Sequence, residues 1–246
     1  MGKLKNLGSK LLAGPYVIWM LLFTVIPLGL IIYNGFTNSD GRFTFKYVAA
    51  IADPVNAKPL LLSFEMSLIV TVVCLLLAFP LAVILSKYST DKNSFIVMIF
   101  ILPMWMNFML RTLAWRLILL NNGFLNQFLT MLGISKVYLM NTKAAIIFGT
   151  AYDYFPFMVL PIYNAVVKID KDVINAAKDL GATNSVVLRK IILPLSVPGI
   201  VSGITMVLVP SMSEFVIADM LGGGKIYLIG NAIEQAFNSG YADVHA

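Results

Sequence analysis

Asp153 is the only acidic residue in the apolar stretch from about residue 143 to residue 167, and Tyr152 and Tyr154 flank it. A carboxylate beside aromatic rings suits an ammonium-bearing solute, because it offers ion pairing together with a cation–π attraction of about 0.5–2 kcal/mol. Charged side chains inside membrane segments are costly, and they pair with one another or line water-filled paths. Three interpretations stay open: Asp153 lines a solute pathway, it forms a structural pair with Arg111 or Arg116, or it is solvated at the bilayer interface.

Two further side chains are candidates for this pathway. Glu214 lies near the end of the last apolar stretch, where it either lines an outer exit or is solvated. Trp105 lies in the third stretch, and packing or anchoring at a bilayer interface is the more ordinary role of such a tryptophan.

Motifs for other chemistry are missing from the sequence. It has no glycine-rich phosphate loop with Lys-Ser/Thr, so we do not expect the chain to bind ATP itself. The single histidine, His245, and the single cysteine, Cys74, form no catalytic set or metal cluster. An intramembrane enzyme would need converging catalytic groups, and only Asp153 is deep enough to be considered. We therefore expect a non-enzyme without a metal or cofactor of its own.

The elements that position these residues are membrane spans. Of 246 residues, 59% are hydrophobic and 12% are charged, whereas about a quarter of residues are charged in soluble domains. A helix spans the bilayer core with about 20 mostly apolar residues. Five runs meet that length, and they cover about residues 14–36, 61–86, 94–120, 143–167 and 191–217. The sequence predicts one all-helical membrane domain over residues 1–246.

The distribution of lysine and arginine predicts the orientation. If all five runs span, the N-terminal segment and the loops after the second and fourth runs share one side and carry ten of these residues. The other side carries six. Because cytoplasmic loops are enriched in lysine and arginine, we expect a cytoplasmic N-terminus.

Residues 168–190 form a polar, basic loop on that cytoplasmic side. Ile174, Ala177, Leu180 and Gly181 recur at helical spacing, which predicts a short amphipathic helix. We expect Asp172 to cap its start and Gly181 to end it, because glycine enters the left-handed region cheaply.

Two roles for this helix stay open from the residues alone. The small side chains of Ala176 and Ala177 would let a partner protein approach closely, so the helix would dock into a groove. Alternatively it lies on the bilayer surface, with its basic residues facing anionic lipid. A second short helix is expected over residues 186–191, and Pro194 is expected to begin the next span.

The motif in this loop resembles the EAA loop of ABC-importer permeases, E-A-A-x3-G-x9-I-x-L-P. The matching residues are Asn175, Ala176, Ala177, Gly181, Ile191, Leu193 and Pro194, with Asn175 where the family usually has glutamate. The resemblance implies that the loop, about residues 168–194, is a coupling helix. Such a helix fits a cleft on an ATP-binding subunit and transmits its closure to the membrane.

Further stretches resemble the B-type permease subunits of spermidine/putrescine importers. They are residues 103–108, 111–115, 122–127, 132–133, 152–163, 213–217 and 221–223. The resemblance implies a type-I, MetI-like permease in a bacterial cytoplasmic membrane. Its expected partners are ABC ATPase subunits, which bind the ATP, a second permease subunit and an extracytoplasmic solute-binding protein. The family normally has a sixth span, and we expect none here, because no apolar run follows residue 223.

Two alternatives to polyamine import stay open. The chain could be a permease for another small organic solute or ion, or a membrane scaffold or truncated product that transports nothing.

Overall fold

The computed structural model describes residues 14–38, 40–87 and 102–238, and within these ranges the chain is mainly helical. Four helices there are long and apolar enough to cross a bilayer. They are α1 (Gly14–Gly35), α3 (Pro54–Lys87), α6 (Lys143–Val167) and α8 (Asn184–Met212). The shorter helices are α2 (Lys46–Ala50), α4 (Phe108–Leu119), α5 (Phe124–Met131), α7 (Lys171–Asp179), α9 (Val216–Gly222) and α10 (Ile229–Asn238).

Four of the five predicted spans are confirmed as long helices, and two of their starts differ from the prediction. Helix α3 begins at Pro54 rather than near residue 61, because proline has no N–H to leave unsatisfied in a first turn. Helix α8 begins at Asn184 rather than near residue 191.

The third predicted span lies partly outside the described residues, since residues 88–101 are not described. Its described part is a short 3₁₀ helix, Leu102–Trp105, followed by the 12-residue helix α4. The Asn107 side chain accepts a hydrogen bond from the Met109 N–H at 2.9 Å, so Asn107 caps α4 and fixes where it starts.

The chain divides into two compact units. One comprises Met1–Ala57 together with Gln235–Ala246, and the other comprises Lys58–Glu234. In the first unit, an isolated bridge joins Thr37 to Phe43 after α1. Phe43 stacks on Phe36 and meets Phe45 edge to face, with centroids 5.8 Å and 5.0 Å apart. The prediction of a single permease domain stays a prediction.

The second unit is built on close packing between α6 and α8. A Cβ at Gly199 would lie 2.5 Å from the Pro161 carbonyl oxygen, and one at Gly203 would lie 2.8 Å from the Met158 sulfur. Small residues let membrane helices approach this closely, since packing rather than the hydrophobic effect associates them in lipid. Helix α3 joins this core through its own buried residues, Val70, Cys74, Ala78 and Ala82.

Two spans contain a π-helical turn, Leu21–Val25 in α1 and Leu188–Ile192 in α8. Each turn ends two residues before a proline, Pro27 or Pro194. Proline cannot donate the hydrogen bond that continues the helix, and an adjacent turn with wider spacing accommodates that gap.

Candidate coupling helix and solute pathway

Helix α7 (Lys171–Asp179) lies in the predicted coupling loop, about residues 168–194. Its first turn is capped by Asp170, whose carboxylate accepts a hydrogen bond from the Asp172 N–H at 2.9 Å. The prediction that Asp172 caps the helix was therefore wrong. Asp172 instead lies within the first turn, where a negative charge is favourable near the free N–H groups.

The end of α7 is a Schellman motif centred on Gly181. The Gly181 N–H donates to the Lys178 carbonyl at 2.8 Å, and the Ala182 N–H donates to the Ala177 carbonyl at 3.0 Å. Gly181 has a φ of +83°, in the left-handed region that residues with a Cβ rarely adopt. The predicted helix end at Gly181 is confirmed.

The two faces of α7 differ. Ile174, Ala177 and Ala182 are half-buried against the core formed by α3, α6 and α8. On the other face Val173 is 47% exposed and Leu180 is 90% exposed, and Asn175 and Ala176 are exposed as well. Ala177 thus faces its own chain, whereas Ala176 faces outward.

The remaining residues of the motif lie at the start of α8. Ile191 falls in the π-helical turn, and Leu193 and Pro194 follow directly. The prediction that Pro194 begins the span was wrong, because the helix is continuous from Asn184. A continuous helix therefore runs from just beyond the Schellman motif to Met212.

Near the middle of α6, Asp153 pairs with Arg111 of α4. The guanidinium Nη2 lies 3.2 Å from Asp153 Oδ1, and both side chains are 9% exposed. The Arg111 guanidinium also lies over the Tyr152 ring, 5.8 Å from its centroid. Of the two basic partners that the sequence offered, the fold selects Arg111, while Arg116 is exposed.

Tyr152 belongs to a row of three aromatic rings with Trp115 and Phe148. Trp115 meets Phe148 edge to face with centroids 4.6 Å apart, and it meets Tyr152 in the same manner at 5.2 Å. Trp115 therefore holds the ring that faces the guanidinium.

Glu214 is joined to the same helix by Tyr154. The Tyr154 hydroxyl donates to Glu214 Oε2 at 3.1 Å. The other carboxylate oxygen, Oε1, accepts from the Ile217 N–H at 3.2 Å in the first turn of α9. The structure thus brings together Asp153, Tyr152, Tyr154 and Glu214, which we call the acid–aromatic cluster.

Trp105 lies apart from this cluster. It is 76% exposed in the short 3₁₀ helix, and none of the contacts found among the described residues joins it to Asp153.

The sequence pattern placed Leu180 at helical spacing with Ile174 and Ala177, and this prediction was wrong for Leu180. Leu180 is 90% exposed, whereas Ile174 and Ala177 pack against the core. The helix ends at Asp179 and Leu180 is its C-cap, so helical spacing no longer sets the direction of the Leu180 side chain. Sequence reasoning therefore missed Leu180 as an exposed candidate residue, and its position directly before the helix-ending glycine was the available signal.

Comparison with known proteins gives the family. The family model described as "Binding-protein-dependent transport system inner membrane component" matches residues 11–242. The spermidine/putrescine transport system permease protein PotB of Salmonella typhimurium (strain LT2) is 37% identical over 227 residues, covering 89% of this chain and 79% of that protein. PotB of Haemophilus influenzae is 34% identical over 242 residues, covering 95% and 85%.

A solved structure supports the same fold. It is a bacterial alginate ABC transporter in complex with an alginate pentasaccharide-bound periplasmic protein. It matches with a TM-score of 0.65 at 18% identity, over 96% of this chain and 84% of that chain. The chain is therefore a multi-pass membrane protein, and it belongs to the family of inner-membrane components of binding-protein-dependent transport systems.

Proposed function

We propose that this chain is a permease subunit of an ABC importer for spermidine or putrescine. It would couple ATP hydrolysis by a partner subunit to movement of the solute across the cytoplasmic membrane. The similarity to PotB over 89% of the chain supports this substrate class, and the acid–aromatic cluster supplies a chemistry that fits it.

The acid–aromatic cluster is the structural feature that favours a cationic solute. Polyamines carry several ammonium groups on an apolar chain, so carboxylates and aromatic rings are the groups that recognise them. Asp153 lies ten residues into α6, about 15 Å along the helix at 1.5 Å per residue, which is near the bilayer centre. A charged carboxylate at that depth is energetically unfavourable, and charged residues inside the membrane commonly lie along solute or ion pathways.

Helix α7 fits the role of the coupling element. One of its faces packs against the core, and its exposed face presents Val173 and Leu180 together with the small Ala176, which a cleft on another protein can enclose. A bilayer-surface role fits less well, since the most exposed side chain, Leu180, belongs to the tip of the helix rather than to a continuous apolar stripe. Because the sequence has no phosphate-binding loop, we propose that the ATP is bound by the ABC ATPase partners.

The proposed assembly contains two ATPase subunits, a second permease subunit and an extracytoplasmic solute-binding protein. The alginate transporter with its periplasmic protein supports that arrangement by fold similarity. We propose a cytoplasmic N-terminus, which places α7 on the cytoplasmic side and Glu214 near the outer mouth of the pathway. The lysine and arginine distribution supports this orientation.

The test is uptake of labelled spermidine by the complete complex in cells that lack other polyamine importers. Asp153→Asn removes the carboxylate charge, and Glu65→Gln makes the same change at an exposed carboxylate paired with Lys143 at 3.4 Å. A hydrogen bond to a charged group contributes about 1.5–3 kcal/mol. We therefore expect the KM of Asp153→Asn to rise roughly ten- to a hundredfold, and that of Glu65→Gln to stay unchanged.

Uptake is normalised to the amount of assembled complex, so that a loss of folding is not counted as a loss of binding. Absence of spermidine and putrescine uptake by the wild-type complex, with uptake of a different solute, would refute the polyamine assignment. An unchanged KM in Asp153→Asn would remove Asp153 from the pathway.

A further inference from the structure

Arg111 is held loosely for a buried arginine. Its single contact with Asp153, Nη2 to Oδ1 at 3.2 Å, is an ion pair, but it does not meet hydrogen-bond geometry, because Asp153 Oδ1 has no hydrogen-bond partner among the described residues. Nε and Nη1 of the guanidinium also lack an acceptor in the described part of the chain, although both atoms are buried.

A structural arginine–carboxylate pair has different geometry. Two parallel hydrogen bonds join the guanidinium to both carboxylate oxygens in the strong form of this pair. Buried polar groups without partners oppose folding, so a pair that serves stability satisfies its donors. The Arg111–Asp153 pair leaves two buried nitrogens unmet within the described ranges, and it is therefore poorly suited to hold α4 against α6.

The contacts that Arg111 does make are those expected of a bound cation. It faces one carboxylate, Asp153, and one aromatic ring, Tyr152 at 5.8 Å. Thr150 lies one turn earlier on α6, and its buried hydroxyl has no partner among the described residues, so it can accept a further hydrogen bond. An organic ammonium would use the carboxylate and the ring as Arg111 does, and Thr150 would be an additional acceptor.

We propose that Arg111 is a specificity-determining residue that fills the ammonium site of the permease as an internal cation and is displaced by the solute. This inference rests on the proposed function. A cationic solute replaces the guanidinium at Asp153 and Tyr152, and the side chain moves away with its charge. A neutral or anionic solute cannot release Arg111 from the carboxylate, so the exchange admits cations.

Competition between Arg111 and the solute has a measurable consequence. Arg111→Gln removes the internal competitor, so the KM for spermidine should fall. Loss of the cation–π attraction between Arg111 and Tyr152 alone corresponds to a fall in this KM of about 2- to 30-fold. Arg116→Gln is the matched control, since Arg116 is an exposed cation on the same helix α4, and its KM should equal that of the wild type.

A double variant separates competition from a general effect on the protein. In an Asp153→Asn background the substitution Arg111→Gln should lower the KM by a smaller factor than in the wild type, because the competition at the carboxylate has been removed and only that at the Tyr152 ring remains. Neutralising both partners also avoids an unpaired buried charge, so the double variant should assemble at least as well as either single variant.

If the Arg111→Gln complex does not assemble, Arg111→Lys tests the same competition between residue 111 and the solute. It keeps the positive charge and hence a partner for Asp153. Its compact ammonium cannot lie flat on the Tyr152 ring as a guanidinium does, so the KM should fall in the same direction by a smaller factor.

The outcomes are distinct. If wild-type complex takes up no polyamine, the proposed function fails. Suppose that the wild-type complex takes up polyamine and that Asp153→Asn raises the KM. If Arg111→Gln and Arg111→Lys then change only the amount of complex and not the KM, Arg111 is a structural partner and this inference is overturned. A KM that rises in either variant overturns it as well.

Discussion

Substitution of Gly181 tests whether the end of α7 transmits force. Gly181 adopts a φ of +83°, and a Cβ built there would meet no atom within 4 Å. A side chain at this position is therefore opposed by backbone conformation alone and not by crowding. Gly181→Val changes the local conformational preference without pushing on a neighbouring helix.

The left-handed conformation is disfavoured by roughly 1–2 kcal/mol for a residue with a Cβ. That energy shifts the equilibrium between the closed Schellman motif and an opened one by a factor of about 5–30. The two hydrogen bonds to Lys178 and Ala177 would open accordingly. Gly181→Asn should retain more of the motif, because asparagine enters the left-handed region more readily.

Gly133 provides a matched control within the same chain. It follows α5 with a φ of +74°, and a Cβ at this position would likewise meet no atom within 4 Å. Its N–H donates to the Thr130 carbonyl at 3.1 Å, and the Ile134 N–H donates to the Leu129 carbonyl at 2.9 Å, which is a second Schellman motif. Gly133→Val should therefore have the same local energetic effect at a site that we place on the outer side.

The assay measures ATP hydrolysis and labelled spermidine uptake by the same assembled complex, with and without the solute-binding protein. We expect Gly181→Val to lower the ratio of solute transported to ATP hydrolysed, Gly181→Asn to lower it less, and Gly133→Val to leave it unchanged. A wild-type ratio in Gly181→Val, or an equal loss in Gly133→Val, would refute the assignment of α7 as the coupling element.

Two predictions concern stability and are measured by thermal unfolding of the purified complex in detergent. Gly199→Ala should destabilise by about 1–3 kcal/mol, because the new methyl group would lie 2.5 Å from the Pro161 carbonyl oxygen; Gly29→Ala, with nothing within 4 Å, should not. Asn126→Ala should destabilise by roughly 1–3 kcal/mol, because its fully buried side chain accepts from the Val137 N–H at 2.8 Å and donates to the Val137 carbonyl at 2.9 Å. Equal melting temperatures for Gly199→Ala and Gly29→Ala, or for Asn126→Ala and wild type, would contradict these assignments.

Composition and hydropathy determined the class of the molecule and most of its long helices. The run predicted at residues 143–167 matches α6, and the first run matches α1 to within one residue. This agreement has a simple reason: backbone groups in lipid must be satisfied within a helix, so apolar length alone specifies the element. The end of α7 was equally predictable, since Gly181 meets a purely local backbone requirement.

Starts of helices were less predictable. Asp170 and Asp172 are both competent capping residues two positions apart, and the local sequence does not decide between them. Similarly, the proline at position 194 is typical of a helix start, but the preceding residues 184–192 pack against the core and extend the helix through a π-helical turn. Tertiary contacts outweigh local preference where two local solutions are close in energy.

The identity of the partner of Asp153 was decided only by the tertiary structure. Arg111 and Arg116 are five residues apart on one helix, so they point to different sides of it, and only the packing of α4 against α6 brings Arg111 to the carboxylate. The meeting of Tyr154 with Glu214, 60 residues later, has the same origin. Hydropathy reports how deep a residue lies in the membrane, whereas the direction it faces depends on how each helix is rotated against its neighbours.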